Sequence, residues 1–179
     1  MTDVFELSDI LDTFCIIVDT REQATPKAKE RFAAFGVPVQ RATLHYGDYC
    51  GNVRLPGGDW LYDIRQTVSP ACALERKMSL DELAGCLGRR RQRFQREFER
   101  ASGNKAKMYL LTENGSWEGI LFHRYRSKLT TNSFLASLTA WTVRYDLTPL
   151  FCKSDVSGRM IKEILYRDMK ERLQNGEYG

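Results

Sequence analysis

The segment Glu75-Arg76-Lys77 closes an apolar run containing Ala71, Ala73 and Leu74, and full charges on a strand of that kind are rare unless they have a task. A buried strand excludes charge because desolvation is costly, so three ionised side chains in a row constrain both the fold and the purpose of the site. In an extended strand alternate side chains share a face. Glu75 and Lys77 therefore project to one side, about 6 to 7 Å apart, and Arg76 to the other. A carboxylate and an ammonium then share one pocket.

The 179 residues fit one domain, enough to bury a core without disulfides or a structural metal. Five cysteines without a CxxC spacing, and no signal peptide, indicate buried, reduced thiols and an intracellular setting, cytoplasmic, nucleoid-associated or nuclear. Two histidines give too little material to favour a zinc centre or a serine-histidine triad. No apolar stretch reaches the roughly 20 residues of a membrane span. The formal charge of +4 is mild, so the placement of the arginines matters more than their number.

Residues 1–13 read as an N-terminal arm, acidic with a few apolar positions, and 14–179 as a single domain. Strands are expected over 14–19, 37–44, 49–55, 72–76, 108–113 and 147–153. A Pro56-Gly57-Gly58-Asp59 hairpin should return along 60–65. Thr25-Pro26 opens a helix ending near Gly36, and Ser79-Leu80-Asp81-Glu82 has the form of a capping box. Two more helices are expected over 132–145 and 157–173. The first has Phe134, Leu138, Trp141 and Tyr145 on one apolar face. The alternation of strand and helix indicates an α/β fold with a central mixed β-sheet flanked by helices.

Three further acidic positions accompany Glu75. Asp19 ends the first strand, where open α/β sheets gather ligand-binding residues, and Glu22 follows in the turn. Asp48 follows Gly47, whose missing side chain permits close backbone approach. Asp19, Asp48 and Glu75 supply hard oxygen ligands for magnesium or manganese, and Lys77 can orient a water. These are parts suited to phosphodiester hydrolysis. Singly, each acid reads more readily as a turn or a surface ion pair than as a ligand; jointly with Glu75-Arg76-Lys77 they favour a site.

Next comes the densest basic stretch. On a helix Arg89, Arg93, Arg96 and Arg100 share a face, with Phe94, Phe98 and Ala101 on another about 140° away. Guanidinium groups bind phosphate through paired hydrogen bonds, so this stripe suits a nucleic-acid backbone. Gly85 and Gly88 predict a bend between two helices. A second basic segment, His123 to Lys128, carries Tyr125, a ring that could stack on a base or sit half buried in a loop.

The chain resembles the XPF-type family of structure-specific endonucleases, a branch of the PD-(D/E)XK superfamily. The shared motifs are Val18-Asp19-Thr20-Arg21-Glu22, Gly47-Asp48, Glu75-Arg76-Lys77 and Asp81. The likeness is strong over 15–101 and carried by element order alone over 109–166. It implies a restriction-endonuclease-like core, metal ligation by Asp19, Asp48 and Glu75 with Mg2+ or Mn2+, water orientation by Lys77, and support from Glu22, Arg76 and Asp81. It also implies action as a homodimer or heterodimer. The segment between Asp48 and Glu75 carries an apparent extra hairpin, and no tandem helix-hairpin-helix domain is expected.

The expected activity is metal-dependent cleavage of DNA, branched or flapped, in repair, recombination or replication, leaving a 5′-phosphate and a 3′-hydroxyl. A noncatalytic DNA-binding scaffold with the same fold and a sequence-specific restriction-type nuclease are the competing readings.

Overall fold

The structure, a computed structural model, describes residues 4–178. Its elements run α1 (Val4–Asp12), β1 (Cys15–Asp19), α2 (Pro26–Ala33), β2 (Val39–Ala42), β3 (Tyr49–Asn52), β4 (Cys72–Lys77), α3 (Leu80–Leu87), α4 (Arg91–Gly103), β5 (Lys107–Glu113), α5 (Trp117–Leu121), α6 (Thr131–Arg144), β6 (Leu147–Cys152) and α7 (Ser157–Gln174). The six strands form one sheet in the order β2-β1-β3-β4-β5-β6. β1 is parallel to β2, β3 runs antiparallel to both its neighbours, and β4, β5 and β6 are parallel. The expected mixed sheet flanked by helices is the fold observed.

Strand alternation assigns each face its own core. Ala73, Met108 and Leu110 join α3, α4 and α6 through Leu83, Leu87, Phe98 and Trp141. Leu74 and Leu111 point the other way, towards α7, where they meet Ile161, Leu165 and Met169. Helix α1 adds Leu7, Ile10 and Leu11 to this second core, so the segment expected to be an arm folds onto the domain.

Local signals account for most helix ends. Thr25 caps α2 by accepting from Ala28 N at 3.2 Å, with Pro26 in the first turn. Ser79 accepts from Glu82 N, and the Glu82 carboxylate accepts from Met78 N at 2.7 Å, a reciprocal box that starts α3 just after the charged strand. The chain breaks at Gly88 between α3 and α4 as the glycines predict.

Two expectations need correction. Residues 60–65 return from the hairpin turn but make no strand; only Arg54 and Trp60 bridge. The Asn52 side chain takes the place of a ladder, with Oδ1 accepting from Val53 N and Tyr62 N and Nδ2 donating to the Tyr62 carbonyl. The five-residue α5 was not foreseen, being too short to show a period.

Candidate active site

Strand register sets the site. Val18 pairs with Tyr49, and Tyr49 with Leu74, which places Asp19, Asp48 and Glu75 side by side across β1, the entry to β3, and β4. Asp19 N donates to the Asp48 carbonyl at 2.9 Å, and Asp48 N to the Leu74 carbonyl at 2.9 Å. Adjacent strands lie about 4.8 Å apart, so three acids from distant parts of the sequence become neighbours. Gly47 makes the approach possible. Its φ is +78°, and a Cβ there would lie 2.7 Å from Ala73 Cβ.

The carboxylates are not equivalent. Asp48 Oδ2 accepts from Arg76 N at 2.8 Å, and the Glu75 carboxylate accepts from Lys77 Nζ. Both line a cavity of about 220 Å³ under α4 with Lys77 and Glu97, while Arg21, Arg90 and Arg93 ring its mouth. Asp19 is turned away from this use. Its oxygens accept from Arg21 N, Arg21 Nε and Nη2, and Leu44 N, the last at 2.7 Å. The expected trio of ligands is thus adjacent in the sheet without forming a cage. Among the described residues no three Asp, Glu, His or Cys side chains already converge as metal ligands. Each of the three carboxylates already accepts from a donor close to it, Arg21 and Leu44 for Asp19, Arg76 N for Asp48 and Lys77 for Glu75.

The charge left on the cavity side is unbalanced. Burial, assisted by the nearby Glu22 and Glu97 charges, pushes the Asp48 carboxyl up to about 6 against the pull of Lys77 and of the Arg76 amide. Burial also raises the Glu75 carboxyl well above its ordinary range, and Asp48 adds to the rise. For Lys77 burial works the other way, but attraction to Glu75 and Asp48 outweighs it and holds the ammonium protonated. Lys77 therefore stands as a hydrogen-bond donor to Glu75. The surplus of buried carboxylate on hard oxygen donors suits a magnesium or manganese ion.

Glu97 belongs to the site and was not foreseen. It accepts from Gly47 N at 2.7 Å and faces Asp48 across the cavity. Its sequence signal is weak, a single acid four residues after Arg93 within a basic run.

The other motif residues lie elsewhere. Glu22 and Arg76 meet on the opposite face of the sheet, where Glu22 Oε1 accepts from Arg31 Nη2 at 2.7 Å, Tyr49 Oη at 3.0 Å and Arg76 Nη2 at 3.3 Å. Arg76 Nη1 also donates to Glu113 at 3.2 Å. Asp81 does not reach the acid cavity at all. On the first turn of α3 it accepts from Arg126 N and Arg126 Nε, tying down the loop before α6. Of the stripe, Arg93 borders the acid cavity, Arg96 is exposed, and Arg100 donates to the His45 carbonyl at 2.9 Å. Arg89 precedes α4 and faces a different cavity. Tyr125 is closed off from base stacking, because it is buried against Phe134 and its hydroxyl donates to Leu129 O.

A six-stranded mixed sheet with charged motif residues on both faces of one inner strand defines the nuclease-type α/β architecture expected from the motifs. The ERCC4 domain model matches residues 18–164, and the chain belongs to that family. Among solved structures it is similar to XPF from Aeropyrum pernix, with 19% identity and a TM-score of 0.60 over 92% of this chain and 69% of that one. It is also similar to XPF from Aeropyrum pernix in complex with DNA, with 21% identity and a TM-score of 0.59 over 89% and 66%. The chain thus spans about two thirds of the length of the solved chains it matches. A search of curated proteins returned no match. All five cysteines are free, and among the described residues no helix is long and apolar enough to cross a membrane.

Proposed function

We propose that the protein is a divalent-metal-dependent DNA endonuclease that hydrolyses phosphodiester bonds in branched or flapped duplexes. The observation that carries this reading is the acid cavity itself, where Asp48 and Glu75 stand with protonated Lys77 beside the exposed Arg93 of α4. Asp48 and Glu75 would hold Mg2+ or Mn2+, with Asp19 added on release of Arg21, and the ion would supply Lewis-acid polarisation and make a water more acidic. Lys77 orients the attacking water and offsets charge on a nonbridging oxygen. Arg93 and Arg96 hold phosphates of the strand being cut. The water oxygen bonds to phosphorus and gives up a proton to solvent, the bond from phosphorus to the 3′ oxygen breaks, and that oxygen takes a proton from solvent, giving a 5′-phosphate and a 3′-hydroxyl. Glu22 and Arg76 act as supports for β4. The working assembly is a homodimer, with a heterodimer as the variant, in an intracellular setting that keeps the five thiols reduced.

Labelled fork, flap and linear duplexes incubated with EDTA, Mg2+ or Mn2+ test the reading. Metal-dependent cuts near the branch are expected, and intact DNA under all three conditions would overturn it. The engagement of Asp19 by Arg21 favours one competing reading, a scaffold that binds DNA and never cuts, and the same gel separates the two.

A further inference from the structure

On the far side of the α3–α4 turn from the acid cavity lies a larger one, about 650 Å³, that the reaction does not use. Its walls are Gly85 and Gly88 on one side and the loop before α6 on the other, with Arg89, Arg126 and Lys128 at its edge. Arg89 and Lys128 are exposed and have no ion-pair or hydrogen-bond partner among the described residues. The guanidinium of Arg126 is 95% exposed and leans on Asp81 at 3.4 Å. Three cations thus face one carboxylate that is already engaged, a surplus that suits phosphate.

The placement of these cations gives the site its partner. Arg93 and Arg96 lead from the acid cavity towards the C-terminal end of α4, where Arg100 is fixed to His45, whereas Arg89 sits beyond its N-terminal end. Basic residues thus extend from the acid cavity both ways along the chain, Arg93 and Arg96 into α4 and Arg90 and Arg89 back across the turn to the second cavity. A single straight duplex follows one of these tracks; two arms of a branched molecule can follow both. Asp81 fixes the second track, because its bond to Arg126 N holds the loop against α3 whatever the Arg126 side chain does.

We propose that this cavity binds backbone phosphates of the second arm of a branched nucleic acid, with Arg89, Arg126 and Lys128 as contacts and Asp81 as the positioning residue of the loop. The inference rests on the nuclease reading for its branched substrate, yet its test reads binding alone. Arg126→Ala/Lys128→Ala is compared with wild type on fork and linear duplexes of equal length, by fluorescence anisotropy in EDTA over a range of salt. Fork affinity is expected to fall about tenfold, and the slope of log K against log salt by about 1.8, with linear duplex nearly unaffected. Arg126→Lys should recover most of its share. Unchanged fork binding, or an equal loss on both substrates, would overturn the proposal. Because no cleavage is measured, a protein that fails to cut leaves this result intact, and the two readings fail separately.

Discussion

The two faces of β4 carry similar charges and treat them in opposite ways. On the α2 and α7 side, Glu22 and Glu113 meet Arg31 and Arg76 within 2.7 to 3.6 Å, two acids against two bases, with Tyr49 bridging. On the α4 side, Asp48, Glu75 and Glu97 stand around one committed ammonium, Arg21, Arg90 and Arg93 line the rim, and the cavity opens to solvent. The first cluster is closed in charge, each acid paired with a base, although Arg31 and Glu113 also line a cavity of about 340 Å³; the second keeps carboxylates that a partner from outside can engage. One residue joins them: Arg76 spends its side chain on the closed cluster while its main-chain N–H holds Asp48 on the open one. Motif membership alone therefore does not mean contact with substrate.

Neutralising each side in turn should separate chemistry from stability. On the open side, Asp48→Asn or Glu75→Gln is expected to lower single-turnover cleavage on the order of 10³-fold, because an anionic ligand to the metal is lost. At pH 8 the Asp48→Asn protein should melt no lower than wild type, since it removes a charge that burial disfavours. Cleavage at the wild-type rate in both variants would remove these carboxylates from the reaction. On the closed side, Glu113→Gln keeps the shape but leaves Arg31 and Arg76 with Glu22 alone. Breaking a buried pair costs about 3 kcal/mol, readable by urea denaturation. Below its melting temperature that variant should still cut. A loss under about 1 kcal/mol would show the cluster to be screened by water.

The contrast between the faces was half legible in the sequence. Period-two alternation alone aims Arg76 away from Glu75 and Lys77, and the sheet obeys it. Helix faces were equally readable, since Phe94, Phe98 and Ala101 of α4 are all buried. The partners of each charge were not readable, because they come from remote segments. Glu113 lies 37 residues from Arg76, Leu44 N lies 25 from Asp19, and Glu97 lies 50 from Gly47. Asp81 keeps its place in the motif, yet its partner Arg126 is 45 residues on, and only the fold reveals that it serves another cavity. Local pattern fixes which way a side chain points; what it finds there depends on the path of the whole chain.

Proton and metal should compete on the open face only. The folded carboxyl of Asp48 titrates above its unfolded value, so its contribution to stability is complete below about pH 4 and is lost as pH rises through about 6. A divalent cation bound at Asp48, as proposed, would replace the missing proton. The rise in melting temperature on adding millimolar Mg2+ or Mn2+ should therefore be larger at pH 8 than at pH 5, and Asp48→Asn should abolish most of the difference. Equal shifts at both pH values would place the ion elsewhere.

The smallest effect should come from the cations beyond the acids. Arg93 and Arg96 are both exposed, so replacing both with alanine should cost the fold almost nothing, and any phosphate contact they make is screened. Their contribution appears in counterion release. With two contacts removed, the slope of log K against log salt for linear duplex should flatten by about 1.8, with cleavage at saturating DNA nearly preserved. This variant acts on linear duplex where Arg126→Ala/Lys128→Ala does not, so the pair maps which basic track serves which arm. If both variants flatten the slope on the same substrates, the tracks are one surface.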